Sequence, residues 1–137
     1  MPEMYDNTIE VDLVIVGAGP SGMMAAGQAA SKGIKVFLLE KNRSPGRKLV
    51  ITGRGRCNIT NTVPPDQFVS DLGPGGKFLF STLSRFSNND IVKFFNEQGL
   101  MTKVERGGRI FPESDDAHSV LLTMKKFIKQ SGGIIKT

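Results

Sequence analysis

Val11-Asp12-Leu13-Val14-Ile15-Val16-Gly17-Ala18-Gly19-Pro20-Ser21-Gly22 is the stretch on which the fold turns. An apolar, β-branched run stops abruptly at glycine, the pattern of a short buried strand entering a tight turn. Gly17, Gly19 and Gly22 fall at G-x-G-x-x-G spacing. In a dinucleotide site the first glycine permits the turn and the second lets backbone approach a pyrophosphate. The third lets the following helix pack close to the strand. The helix N-terminus then offers N–H groups and a partial positive charge to phosphate.

The residues that follow extend this reading. Ala26 is small where a helix must press on a sheet, and Gly33 is placed to end that helix as a left-handed cap. A second apolar run, 34–39, ends in Glu40, whose carboxylate can accept hydrogen bonds from a ribose. Strands are therefore predicted over 11–16 and 34–39, with a helix over 21–32 between them. A right-handed crossover makes the strands parallel neighbours, and their near-continuous apolar character predicts a sheet covered on both faces. A strand–turn–helix without ligand shares the glycine spacing alone; the acid closing the second strand argues for the ligand.

The chain has 137 residues, a length for one domain. Hydrophobic residues at 39% and charged residues at 23% suit a globular protein. No apolar run reaches the roughly 20 residues that cross a bilayer, so no membrane partner is expected. The N-terminus (Glu3, Asp6, Glu10) lacks the basic start of a signal peptide. A single cysteine, Cys57, excludes an internal disulfide and points to the cytoplasm. With one histidine beside it, no metal site is expected.

The net charge is +5, and its distribution matters more than its sum. Lys41, Arg43, Arg47, Lys48, Arg54 and Arg56 give residues 41–65 a charge of +6, with no acid among them. A basic stretch can serve nucleic acid or one phosphate-rich cofactor, or can be a solvated loop. Its place directly after a dinucleotide fingerprint favours the cofactor, and no nucleic-acid partner is expected. Within it, Thr52-Gly53-Arg54-Gly55-Arg56-Cys57-Asn58 has neither helical nor strand period. Glycines beside arginines let backbone amides and guanidinium groups converge on an anion. Basic neighbours can lower the Cys57 pKa; without a second cysteine it reads as cofactor-lining rather than nucleophilic.

Further on, Pro64, Pro65, Gly73, Pro74, Gly75 and Gly76 punctuate the chain. A helix is predicted over 77–86, with Phe78, Leu79, Leu83 and Phe86 as its apolar side. Ser87 to Asp90 signals the start of another, capped by Gly99. The phenylalanines read as core rather than flavin-stacking surface. Short strands over 101–105 and 109–111 flank Gly107-Gly108, a hairpin signal. Asp115 and Asp116 open a last helix whose positive end they complement. Ile134 begins a third parallel strand. His118, alone near a helix start, reads as a surface or capping residue. Residues 1–9 read as a polar lead-in.

Together, GAGPSGMMAA (17–26), EK (40–41), GRKLVITGRGRCNITN (46–61), FF (94–95) and GRIFPES (108–114) resemble a family of bacterial NAD(P)/FAD-dependent oxidoreductases. That family includes aminoacetone oxidase and bile-acid dehydro-reductase flavoproteins, and the resemblance runs from about residue 9 onward. It implies an α/β fold: a Rossmann-like FAD-binding βαβ with a parallel sheet, a helical segment and a small β-hairpin. It further implies that Gly17, Ala18, Gly19, Pro20, Ser21 and Gly22 hold the FAD pyrophosphate and that Glu40, with Lys41 beside it, binds the adenosine ribose. Arg47, Lys48, Gly53, Arg56, Cys57 and Asn58 would line the cofactor toward the flavin ring. Arg54 departs from the small or amide residue often found in the family.

Family members are longer, with an inserted substrate-facing domain and a C-terminal return over the flavin. The resemblance therefore implies a partial FAD-binding domain over 1–137, lacking both, that binds FAD weakly and turns over poorly. A small-molecule substrate is expected, with NAD(P)H as a candidate electron donor, and an exposed sheet edge offers a route to a homo-oligomer. No catalytic acid or base stands out. A nicotinamide-binding module of a dehydrogenase and a basic nucleic-acid-binding module stay open as alternatives.

Overall fold

The computed structural model describes residues 8–137; most of the polar lead-in lies outside them. In chain order the elements are β1 (Leu13–Val16), α1 (Pro20–Ser31), β2 (Val36–Leu39), a 3-10 turn (Leu49–Gly55), β3 (Thr60–Asn61) and α2 (Pro65–Asp71). There follow a second 3-10 turn (Gly73–Leu79), α3 (Phe80–Arg85), α4 (Asn88–Glu97), β4 (Thr102–Glu105), a third (Arg106–Gly108), β5 (Arg109–Pro112), α5 (Ala117–Gln130) and β6 (Ile134–Lys136). They divide into two compact units, one of residues up to Pro45 with Lys126–Thr137, the other Gly46–Lys125.

The first unit is the βαβ of the glycine turn. Its sheet has the order β1-β2-β6, all parallel. Leu13 pairs with Val36 and Val16 with Leu39, while Phe37 pairs with Ile134 and Leu39 with Lys136. The expected third parallel strand is therefore β6. Helix α1 buries Met23, Ala26, Gly27 and Ala30. A Cβ on Gly27 would stand 2.3 Å from the Phe127 ring, so glycine is what lets that ring lie against the helix. Gly33, at φ +82°, ends α1 with its N–H bonded to the Ala30 carbonyl at 2.9 Å.

Coverage of both sheet faces is not observed: on β2, Val36 and Leu38, which share one face, are buried while Leu39 on the other is exposed, and β1 is covered still less. Val16 is 84% exposed, and Leu13 and Val14 are exposed as well. In the described residues β1 is an edge strand, with β2 on one side only. Apolar runs predict burial only if the chain supplies a neighbour, and here it supplies one.

The second unit is built on an antiparallel sheet of order β3-β5-β4. The hairpin predicted around Gly107-Gly108 is present, with Glu105 opposite Arg109 and Thr102 opposite Pro112. Gly108, at φ +72°, sits so close to Thr62 that a Cβ would meet its hydroxyl at 2.4 Å. Helix α4 packs against β3 and β4. It buries Phe94 and Phe95 edge-to-face at 5.1 Å. Ser87 caps it through a reciprocal pair: its hydroxyl accepts from the Asp90 N–H, and the Asp90 carboxylate accepts from the Ser87 N–H.

Three expectations are corrected here. The helix over 77–86 is shorter, because Gly73–Leu79 tightens into 3-10 geometry and only Phe80–Arg85 is α-helical. Its phenylalanines are not core: Phe78 is 87% exposed, with Phe80 and Phe86 also exposed, while Phe94, Phe95 and Phe111 are buried. Asp115 does not serve the helix end as expected. It lies in the left-handed region at φ +54° and pairs with Lys103 and Arg56, leaving Asp116 beside the first turn of α5. Ala117, Val120, Leu121, Met124 and Ile128 are buried at the spacing the sequence gives them.

Candidate nucleotide site and basic loop

The glycine turn joins β1 to α1 in the first unit. Gly17 takes φ +97°, a region open to glycine without steric cost, and its N–H donates to the Leu39 carbonyl at 2.7 Å. A Cβ on Gly22 would lie 2.0 Å from the Gly17 oxygen, so glycine is required for the helix to approach the turn. A Cβ on Gly19 would meet nothing within 4 Å, which leaves open space beside the backbone there. Helix α1 begins at Pro20, has Gly19 as N-cap and has no side-chain cap and no acid in its first turn. Its positive end thus faces no protein anion of its own segment.

Glu40, at the end of β2, reaches back to this turn. Its Oε2 accepts from the Ala18 N–H at 3.0 Å. Its Oε1 accepts from the Asn42 N–H at 2.9 Å and the Asn42 side-chain amide at 2.6 Å. The Asn42 N–H, the Ala18 N–H and the Asn42 amide hold the carboxyl below its ordinary range. A carboxylate accepts about four hydrogen bonds, so these three contacts leave capacity for a ribose hydroxyl. Asn42 is a part of the site that sequence reading missed; its only signal was proximity to Glu40. Lys41 is exposed.

The basic loop lies in the second unit, where several of its side chains are engaged within the loop's own neighbourhood. Arg56 forms a two-pronged pair with Glu105, at 2.8 and 3.2 Å, and a third contact with Asp115 at 3.2 Å. Its guanidinium carbon stands 4.1 Å over the Phe111 ring. The hydrogen bond to Lys103, with Arg56 as second neighbour, holds Asp115 below the usual carboxylate range. Two cations and two carboxylates close this cluster without net charge. The Asn58 amide nitrogen donates to the Ile110 and Thr60 carbonyls at 3.1 and 2.9 Å. Gly53, at φ +56°, is so close to Asn58 that a Cβ would meet its backbone nitrogen at 2.9 Å. Arg47, Lys48 and Arg54 are exposed.

Cys57 is 6% exposed and left-handed at φ +62°. Burial pushes its thiol up, against a smaller opposing effect from Thr52. The lowered pKa that the basic neighbours suggested in the sequence is therefore not found; burial dominates, and the opposing effect comes from Thr52. His118 is exposed and rests on Asp116 at 3.2 Å. Among the described residues no group of His, Cys, Asp and Glu could hold a metal, and no helix is long and apolar enough to cross a membrane.

Comparison with known proteins places this geometry. A family model described as an HI0933-like protein Rossmann domain matches residues 11–137. The chain is 42% identical over 109 residues to the 3-dehydro-bile acid delta(4,6)-reductase of Clostridium scindens, covering 78% of this chain and 26% of that protein. It is 33% identical over 114 residues to the ribosomal RNA dihydrouridine synthase of Escherichia coli, covering 82% and 27%. It therefore spans about a quarter of the length of these curated relatives. Among solved structures, THI4 of Thermovibrio ammonificans superposes with a TM-score of 0.60 at 18% identity, over 92% of this chain and 38% of that one. An open-conformation flavocytochrome c3 fumarate reductase gives 0.57 at 21% identity, over 91% and 26%. At such identities the superpositions speak for the fold.

Proposed function

The chain belongs to the HI0933-like Rossmann-domain family, and from that premise we propose that it is the FAD-binding portion of a flavin-dependent oxidoreductase. The observation that carries the reading is the uncapped start of α1 at a glycine turn, with the Glu40 carboxylate held on the Ala18 N–H at its rim. A pyrophosphate would lie against Gly17, Ala18, Gly19, Pro20, Ser21 and Gly22, where fixed N–H groups and the helix end supply positive potential. Glu40 would accept from the adenosine ribose, and Asn42 would keep its carboxylate ionised and aimed. Bound flavin supplies two-electron redox chemistry; this chain's residues bind and orient its ADP portion.

The basic loop has a mixed part in this reading. Arg47 and Lys48 are exposed cations suited to phosphate. Gly53, Arg56, Cys57 and Asn58 act first by holding the loop's shape, through the Phe111 stack and the carbonyls of Thr60 and Ile110. The chain spans about a quarter of the length of these relatives, and under this proposal redox turnover calls on a substrate domain and a C-terminal return that cover the flavin. A small organic substrate, NAD(P)H as donor and a homo-oligomer through the β1 edge belong to the same proposal. A lone buried cysteine is in keeping with a reducing cytoplasm.

FAD titration of the flavin-free chain tests this, followed by flavin fluorescence and thermal stability. Saturable binding that ADP competes away, and that Glu40→Ala weakens, is the expected result. Tighter binding of NADH than of FAD would replace this reading with a nicotinamide module. A second reading of the substrate rests on the relative named as a ribosomal RNA dihydrouridine synthase. Under it the exposed Arg47, Lys48 and Arg54 would meet RNA phosphates. Binding to a ribosomal RNA hairpin that falls steeply with salt would favour it; no binding at low salt would remove it.

A further inference from the structure

Glu40 is fixed through its backbone and through both oxygens of its side chain. Its N–H donates to the Lys136 carbonyl at 2.8 Å, which ties the end of β2 to β6. Its Oε2 accepts from the Ala18 N–H of the glycine turn at 3.0 Å. Its Oε1 accepts twice from one residue, from the Asn42 N–H at 2.9 Å and from the Asn42 side-chain amide at 2.6 Å. Asn42 follows closely on the end of β2, so this double contact forms locally. Glu40 is half-buried, and its carboxylate is not sealed from solvent.

The two oxygens are unequally used. An ionised carboxylate has about four acceptor sites, shared equally between its oxygens. Asn42 occupies both sites of Oε1, one with its backbone and one with its side chain. Ala18 occupies one site of Oε2 and leaves the other. A ribose presents two adjacent hydroxyls, and a carboxylate with both oxygens open accepts from both. Glu40 with Asn42 beside it has room for one.

We propose that Asn42 is a positioning residue that limits Glu40 to one hydroxyl of the adenosine ribose, accepted at Oε2. The proposal rests on the FAD reading above, and every residue it uses lies in the unit of residues up to Pro45 with Lys126–Thr137. The side-chain amide is the removable half of the block. Asn42→Ala deletes it, keeps the backbone N–H and reopens one site on Oε1.

ADP, 2′-deoxy-ADP and 3′-deoxy-ADP are titrated into the isotope-labelled, flavin-free chain and followed by amide chemical shifts. In the wild-type chain one deoxy analogue is expected to bind within about twofold of ADP and the other about tenfold weaker, the loss of one hydrogen bond to a charged group. In Asn42→Ala both analogues are expected to bind about tenfold weaker than ADP does to the same variant. The readout is the ratio among nucleotides within one protein, which a purely structural loss would leave unchanged. In Glu40→Ala the three nucleotides are expected to bind alike. Wild-type losses for both analogues, or for neither, overturn the proposal while ADP binding keeps the FAD reading, and so does an Asn42→Ala pattern identical to wild type. Discrimination that survives in Glu40→Ala belongs to another group and overturns it too. Absence of saturable ADP binding to the wild-type chain overturns the FAD reading itself, and the proposal with it.

Discussion

At Gly22 one methyl group decides whether the turn closes. The Cβ of an alanine would lie 2.0 Å from the Gly17 oxygen, a backbone atom with no side-chain freedom to move aside. Gly22→Ala is expected to lower stability by about 1–3 kcal/mol, the cost of forced overpacking. It should also remove most FAD affinity, since the helix start is displaced with the turn. Urea unfolding and flavin titration read the two effects. Cys57 tests the opposite kind of claim. Buried, with its thiol pushed up, it is expected to react with a disulfide reagent at pH 7 much more slowly in the folded chain than in urea. Fast reaction in the native state would restore the activated thiolate that its basic neighbours suggested. Gly17, Gly22 and Glu40 were legible in the sequence because a short stretch of backbone sets their roles. Arg56 was not: its carboxylate partners lie 49 and 59 residues further along the chain. A string of cations looks like an anion site until folding delivers the acids.

Helix α4 is the element whose sequence and structure agree best, and the reason is local. Ser87 and Asp90 carry a capping pair within four residues, and the burial of Phe94 and Phe95 follows from helical period. Ser87→Ala removes the acceptor for the Asp90 N–H and is expected to cost about 1 kcal/mol. It would appear as a lower urea midpoint at unchanged slope, with faster exchange of the first α4 amides; an unchanged midpoint would mean the cap contributes nothing. Other elements were hidden for identifiable reasons. Helix α2 starts on Pro65 at its first turn with Asp66 behind it, a usable start signal masked by the neighbouring Pro64 and the glycines that follow. Strand β3 is two residues long and exists only because Arg109 and Ile110 come to lie opposite. The sequence over 77–86 has a helical period, but Gly75 and Gly76 favour a tighter turn at its start, and a period alone does not say whether anything covers Phe78.

Across the whole molecule, ionisable groups bound stability from two directions. The sequence shows the +6 of residues 41–65, but not which charges matter to folding, because that depends on partners and burial. Glu40, Asp90 and Asp115 all have carboxyls held below their ordinary range, by Asn42 and Ala18, by Ser87, and by Lys103 with Arg56 respectively. Each therefore binds its proton less readily folded than unfolded. Their contributions are complete above the unfolded carboxylate pKa of about 4 and are lost as pH falls through the lower folded values. Cys57 has the reverse sense. Its folded pKa is raised, so its contribution is complete below the unfolded thiol pKa of about 8.5 and is lost as pH rises through the folded value. The urea midpoint is thus expected to be flat between about pH 5 and 8 and to fall on both sides. The two limbs have different addresses. Glu40 lies in the unit of residues up to Pro45 with Lys126–Thr137, while Asp90, Asp115 and Cys57 lie in Gly46–Lys125. Amide signals followed unit by unit through urea titrations should show the acid fall in both and the alkaline fall only in the second. Cys57→Ala should abolish the alkaline fall and leave the acid one intact. An alkaline fall that survives this substitution would show that a different group titrates there, and that burial of the thiol does not control the upper limit.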